Sequence, residues 1–138
     1  MSESFQIETI AADKTWALRQ HVMWPNKPVE YVQLSNDDTG LHYGLFVDQD
    51  MVSVISVFIN KDKAQFRKFA TQAKQQGKGY GSALLKHVFK VLKKQQIKTI
   101  WCNARLDKCG FYQHFGMHKT EHYFKKGHID YVIMEVQC

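Results

Sequence analysis

The sequence predicts an α/β fold of the α+β type, with a mixed, mainly antiparallel central sheet and one parallel pair. Three observations predict it. Residues 65–104 read strand, glycine turn, helix, strand. Such a crossover sets two strands parallel through a right-handed connection. Residues 42–59 and 117–136 each read as two apolar-patterned strands around a short polar turn, which makes antiparallel pairs.

The elements follow in order. Phe5-Gln6-Ile7-Glu8-Thr9-Ile10 alternates apolar and polar side chains, as a half-buried strand does. Asp13 or Thr15 is placed to cap a helix running to His21 or Met23, and Pro25 and Pro28 stop it. Asn36-Asp37-Asp38-Thr39-Gly40 is a turn cluster. Residues 42–48 and 51–59 form a hairpin across Asp48-Gln49-Asp50. Its second strand carries Val52, Val54, Ile55, Val57, Phe58 and Ile59, the β-branched and aromatic content of a buried strand. Residues 65–71 form a strand that leads into the glycine turn. Over 79–95, Leu84, Leu85, Val88, Val91 and Leu92 share one helical stripe, with Lys86, His87, Lys90 and Lys94 opposite. Residues 97–104 form a strand. Residues 108–115 form a short helix ended by Gly116. Strands at 117–124 and 128–136 close the chain around Lys125-Lys126-Gly127.

The chain has 138 residues, enough for a single domain with one sizeable core, and shows no repeat or linker. Its apolar runs fall short of the ~18 residues that span a membrane. Met1-Ser2-Glu3-Ser4 lacks the basic-then-apolar pattern of a signal peptide. The expectation is a soluble, cytoplasmic protein without a membrane partner. Cys102, Cys109 and Cys138 are odd in number and lack CxxC spacing. They are read as free buried thiols, not a disulfide framework or a zinc site.

The net charge is +6. Residues 61–98 hold ten lysines and Arg67 against Asp62 alone. A nucleic-acid footprint, one polyanionic ligand and a plain solvated face all fit such a block. The chain has only three arginines, and arginine does most bidentate base and phosphate reading, so nucleic acid is disfavoured.

Gln76-Gly77-Lys78-Gly79-Tyr80-Gly81, followed by Ser82, opens the long helix. The three glycines admit positive φ and keep side chains off the backbone. The first helical N–H groups lack intrahelical partners, and the helix dipole is positive there. The combination makes an anion site of phosphate size. It is not a P-loop, since no Lys-Ser or Lys-Thr follows the turn. It is not a dinucleotide fingerprint either: the glycine spacing is wrong and residues 63–105 contain no acid.

The turn matches Gln/Arg-x-x-Gly-x-Gly/Ala at every fixed position. Asn103-Ala104-Arg105 and Phe111-Tyr112-Gln113-His114-Phe115-Gly116-Met117 follow. Together these segments resemble the GNAT superfamily of N-acetyltransferases, specifically over about 65–117 and by element order elsewhere. Lys108 and Met117 depart from that pattern, which usually has a small residue and Phe there. The resemblance implies helices on both faces of the sheet and a parallel pair splayed around a cofactor cleft. It also implies acetyl-CoA as cosubstrate and a primary amine as acceptor, with no metal and no covalent enzyme intermediate. The turn residues Gln76, Gly77, Lys78, Gly79, Tyr80 and Gly81, with Ser82, would hold the CoA pyrophosphate. The backbone of Phe69, Ala70 and Thr71 would pair with the pantetheine arm, and Asn103 would stand at the cleft mouth. Tyr112 would protonate the departing thiolate, since a phenol of pKa near 10 stays protonated at neutral pH.

No residue stands out as the base. His42, His118 and His122 qualify only as groups titrating near neutrality. The segment 19–38 lies where acceptors enter in the family, so Trp24-Pro25-Asn26 and Asp37-Asp38 are candidates to line that entrance, the two acids suiting a cationic amine. Two rival functions are a non-catalytic acyl-CoA-binding module or sensor, and a nucleic-acid-binding protein using the 61–98 block. Homodimers are common in the family, and the sequence leaves the oligomeric state open.

Overall fold

A computed structural model describes residues 4–138, so Met1, Ser2 and Glu3 of the signal-peptide reading lie outside the described residues. The strands are β1 (Gln6–Ile10), β2 (Leu41–Val47), β3 (Asp50–Asn60), β4 (Lys63–Thr71), β5 (Thr99–Arg105), β6 (His118–Lys126) and β7 (Ile129–Gln137). The helices are α1 (Trp16–Met23), α2 (Tyr80–Lys94) and α3 (Cys109–Gln113). All seven strands form one sheet in the order β1-β2-β3-β4-β5-β7-β6. Among the described residues, only β4 and β5 run parallel. The mixed, mainly antiparallel sheet is thus the architecture that the crossover and the hairpins predict.

Helices cover both faces. The α2 stripe of Leu84, Leu85, Val88 and Leu92 is buried with Leu45, Ile55, Val57, Ile100, Val132 and Met134. Each such side chain contributes about 1.5–3 kcal/mol by leaving water. Phe111, Tyr112 and Phe115 pack against the same cluster, so α3 lies on the α2 face. On the opposite face α1 sets Leu18 against Val54 and Ala70. Among the described residues, no helix is long and apolar enough to cross a membrane.

Several boundaries differ from the pattern-based expectation for local physical reasons. Thr15, not Asp13, is the N-cap residue of α1, but its side chain makes no cap hydrogen bond. Residues Ala12–Thr15 form a 3-10 turn, and the buried Thr15 hydroxyl donates back to the Ala12 carbonyl at 2.7 Å. Gly79 precedes α2 as its N-cap, at φ +87°. Ile97 is not in a strand, because α2 ends in a Schellman turn. The Ile97 amide donates to Leu92 O and the Gln96 amide to Lys93 O, with Gln96 at φ +64°. The Ile97 side chain is thereby buried beside Leu92. Asp48 and Gln49 alone turn the β2–β3 hairpin, both at positive φ, which matches strand twist.

Candidate active site

The β4–β5 pair is short. Lys63, Ala64 and Gln65 oppose Thr99, Ile100 and Trp101, and the pairing goes no further. A bulge in β4 is the cause. Arg67 opposes Ser56 and Ala70 opposes Val54, so β4 holds one residue more than β3. Lys68 takes up the excess at φ +54°. A bulge bends its strand and adds twist. Beyond Gln65, β4 therefore leaves β5, and a wedge opens between them.

The glycine turn stands at the open end of the wedge. Gln76 Nε2 donates to the Thr71 carbonyl at 3.0 Å and ties the turn to the end of β4. Gly77 and Gly79 have φ of +79° and +87°, and a Cβ on either would meet nothing within 4 Å. The backbone there is both left-handed and open to solvent. No side chain caps α2, its first turn holds no acid, and the first intrahelical bond is Ala83 N to Gly79 O at 3.0 Å. The Gly81 and Ser82 amides thus face the positive end of the dipole with no capping side chain.

Gly81 has a different reason to be glycine. A Cβ there would lie 3.3 Å from both the Phe69 ring and Thr71 Oγ1. The side chains of Phe69 and Thr71 are therefore beneath the start of α2, while Ala70 points to the α1 face. What 69–71 offers the wedge is a backbone edge. The Tyr80 side chain is buried, with its ring 6.3 Å from that of Phe5. Lys78 is exposed, and its ammonium donates to Gln75 Oε1 at 3.0 Å. Asn103 is an exposed residue of β5 that pairs with Ile133 of β7, beyond the last parallel pair.

Tyr112 of α3 sits over β4, its ring centroid 5.6 Å from Phe66 and 5.3 Å from Phe111. Phe111 in turn lies 6.2 Å from Phe69. These rings and Phe115 pack together on the α2 side of the sheet. Burial pushes the Tyr112 hydroxyl above its ordinary value of 10.0, the Cys102 and Cys109 thiols add to the rise, and Arg105 opposes it. The phenol therefore stays protonated throughout the neutral range. The Cys102 thiol is pushed up to about 12, first by burial and then by Cys109. A thiol so raised is a poor nucleophile. All three cysteines are free, and Cys138 is exposed, contrary to the expectation of three buried thiols.

The residues expected near the acceptor divide. Asp37 is buried and does not line an entrance. Its carboxylate accepts Arg19 Nη1 and Nη2 at 2.9 Å each, Trp16 Nε1 at 3.1 Å and the Leu34 amide at 3.0 Å. Burial alone would push this carboxyl up, but those hydrogen bonds and the Arg19 charge outweigh it and hold it below 3.8. His42 is also buried: Nε2–H donates to the Asp37 carbonyl at 2.8 Å, which leaves Nδ1 to accept from Ser56 Oγ at 2.7 Å. Both ring nitrogens are thus engaged away from the wedge. His118 and His122 are exposed on β6. Asp38 is exposed, and Trp24 packs on Tyr31 at 5.0 Å. The described residues contain no group of three or more His, Cys, Asp or Glu placed for a metal.

Pattern reading missed Arg19 and Lys68. Phe66-Arg67-Lys68-Phe69 sets two cations between two core phenylalanines, a break in strand alternation that marks the bulge. Arg19 sits beside Leu18 on the buried side of α1, an unusual place for a cation.

Residues 14–138 match the family described as the acetyltransferase (GNAT) domain. The chain belongs to this GNAT acetyltransferase family. It is 25% identical over 120 residues to the uncharacterized N-acetyltransferase YitI of Bacillus subtilis (strain 168), with 80% of each chain covered. Among solved structures, a candidate N-acetyltransferase from Lactobacillus plantarum superposes with a TM-score of 0.87 at 18% identity, over 98% of this chain and 99% of that one. A GNAT family acetyltransferase from Elizabethkingia anophelis with acetyl-CoA bound gives 0.75 at 16% identity, over 97% and 98%. At these identities the structural likeness speaks to the GNAT fold.

Proposed function

We propose that this GNAT protein is a cytoplasmic N-acetyltransferase that moves the acetyl group of acetyl-CoA directly to a primary amine. The observation that carries the reading is the glycine turn at the open end of the β4–β5 wedge, with Tyr112 farther in. The amides of the Gln76–Ser82 stretch hold the pyrophosphate, helped by the α2 dipole. Gly77 and Gly79 give that backbone its left-handed shape and its open approach. Tyr80 acts there through its backbone, since its ring is buried. The exposed Lys78 ammonium, beside Gln75 Oε1, adds positive charge there. The pantetheine arm runs down the wedge along the edge of Phe69, Ala70 and Thr71 that β5 does not pair, and Asn103 hydrogen-bonds it from β5.

This path brings the thioester towards Tyr112. The amine lone pair attacks the thioester carbonyl, an N–C bond forms and the C–S bond breaks. The leaving thiolate takes the Tyr112 hydroxyl proton, and the new amide nitrogen gives its surplus proton to water. The phenol is protonated at neutral pH, and the tyrosinate left behind regains its proton from water. No metal and no cysteine takes part.

The test is an amine panel with acetyl-CoA, following release of the CoA thiol, for wild type and Tyr112→Phe. Turnover of a primary amine that collapses in the variant supports the reading. Tight acetyl-CoA binding with no turnover of any amine contradicts it and indicates a non-catalytic acyl-CoA-binding module.

A further inference from the structure

The β4 bulge places two consecutive cations on one face. Phe66 and Phe69 both belong to the α2-side core, with only Arg67 and Lys68 between them. Arg67 opposes Ser56, and Ser56 Oγ accepts Arg19 Nη2 of α1 at 2.9 Å. Arg67 is therefore on the α1 face of the sheet. Lys68 is on that face too, within electrostatic reach of Arg67, Arg19, Lys126 and Asp37.

These cations lack a counter-charge. The two oxygens of Asp37, the one carboxylate in that set, are already engaged by Arg19. The ion pairs among the described residues are Arg19–Asp37 and Lys125–Asp130, so Arg67, Lys68 and Lys126 enter none. Lys68 feels the crowding: burial first, then the neighbouring cations, lowers its ammonium to about 8. A half-buried like-charge cluster of this kind is costly without an anion, and an arginine fork suits a carboxylate.

On the α2 side of β4 the rings of Phe66, Phe69, Phe111, Tyr112 and Phe115 pack together. An acceptor approaching the wedge from the side opposite these rings meets the face that carries Arg67 and Lys68. We infer that the acceptor is a primary amine that also bears a carboxylate, as an amino acid does, with the carboxylate held by Arg67 and Lys68. This rests on the acetyl-transfer reading above. It replaces the acidic entrance expected from Asp37.

The experiment compares amino acids with their decarboxylated amines, lysine against cadaverine and tyrosine against tyramine, at saturating acetyl-CoA. The expected result is a KM lower by about tenfold or more for the carboxylate-bearing member. Arg67→Gln should raise the lysine KM by about the same factor and lower that for cadaverine, since a repulsive charge is gone. Lys90→Gln, on the outer face of α2, should move neither. Equal or better use of cadaverine and tyramine by wild type overturns this inference and leaves acetyl transfer standing. Turnover of no amine in either set overturns the acetyl-transfer reading and this inference with it.

Discussion

Arg19 and Asp37 form a buried bidentate pair, with Nη1–Oδ2 and Nη2–Oδ1 both 2.9 Å, that ties α1 to the 33–40 segment. Arg19 also reaches Val32 O and Ser56 Oγ at 2.9 Å, so one guanidinium joins the helix, the loop and β3. Its Nε–H, buried, has no partner.

Removing one side of this pair leaves a buried charge. Asp37→Ala is expected to lower stability by about 3–5 kcal/mol in urea unfolding. Replacing both partners with apolar residues should cost much less. The pH sign follows from the depressed carboxyl. The pair's contribution is full above 3.8 and is lost as pH falls through the lower folded value. Wild type and Asp37→Asn should therefore converge in stability under strongly acidic conditions.

Lys68 predicts a second window, at alkaline pH, in which stability again rises with pH. Its folded value, about 8, lies below the ordinary 10.5. The folded state thus binds fewer protons between those values, and stability rises with pH across that window. Lys68→Met, which keeps the stem and removes the ammonium, should be more stable than wild type at pH 7. The gap in Tm should shrink as pH rises through the same range. A gap independent of pH would contradict the assignment.

Gln96 holds a left-handed C′ position that favours glycine. Gln96→Gly is expected to stabilise by about 0.5–1 kcal/mol, as relief of the φ strain exceeds glycine's extra chain entropy. Chemical denaturation measures this, and acetyl transfer should not change.

Tyr112→Phe removes one oxygen and keeps the ring against Phe66 and Phe111. The expected loss is about 10²–10⁴ in kcat, with the acetyl-CoA KM nearly constant, as for removal of a proton donor. A loss confined to KM would make Tyr112 a packing residue.

Much of the fold was legible because its signals are local. The α2 stripe, the hairpin patterns and the glycine turn each act within a few residues, and each element lies where those signals put it. The boundaries that moved did so through contacts the pattern does not carry. Ile97 alternates like a strand residue, yet it closes a Schellman turn against Leu92. Asp37 reads as an ordinary turn acid, and only the fold brings Arg19, 18 positions away, to bury it. The bulge at Lys68 is a register shift against β3, so its effect on the wedge emerges only when the strands pair.

The central claim is that the turn before α2 is the phosphate cradle for acetyl-CoA. Ser82→Glu tests it cleanly. An acid in the first helical turn favours the helix, so the variant should fold as well as wild type, while its charge repels a phosphate at that site. Calorimetric titration with acetyl-CoA should show micromolar-range binding to wild type, weakened about a hundredfold or more in Ser82→Glu with Tm undiminished. Equal binding by the two proteins, or none by wild type, would contradict the account.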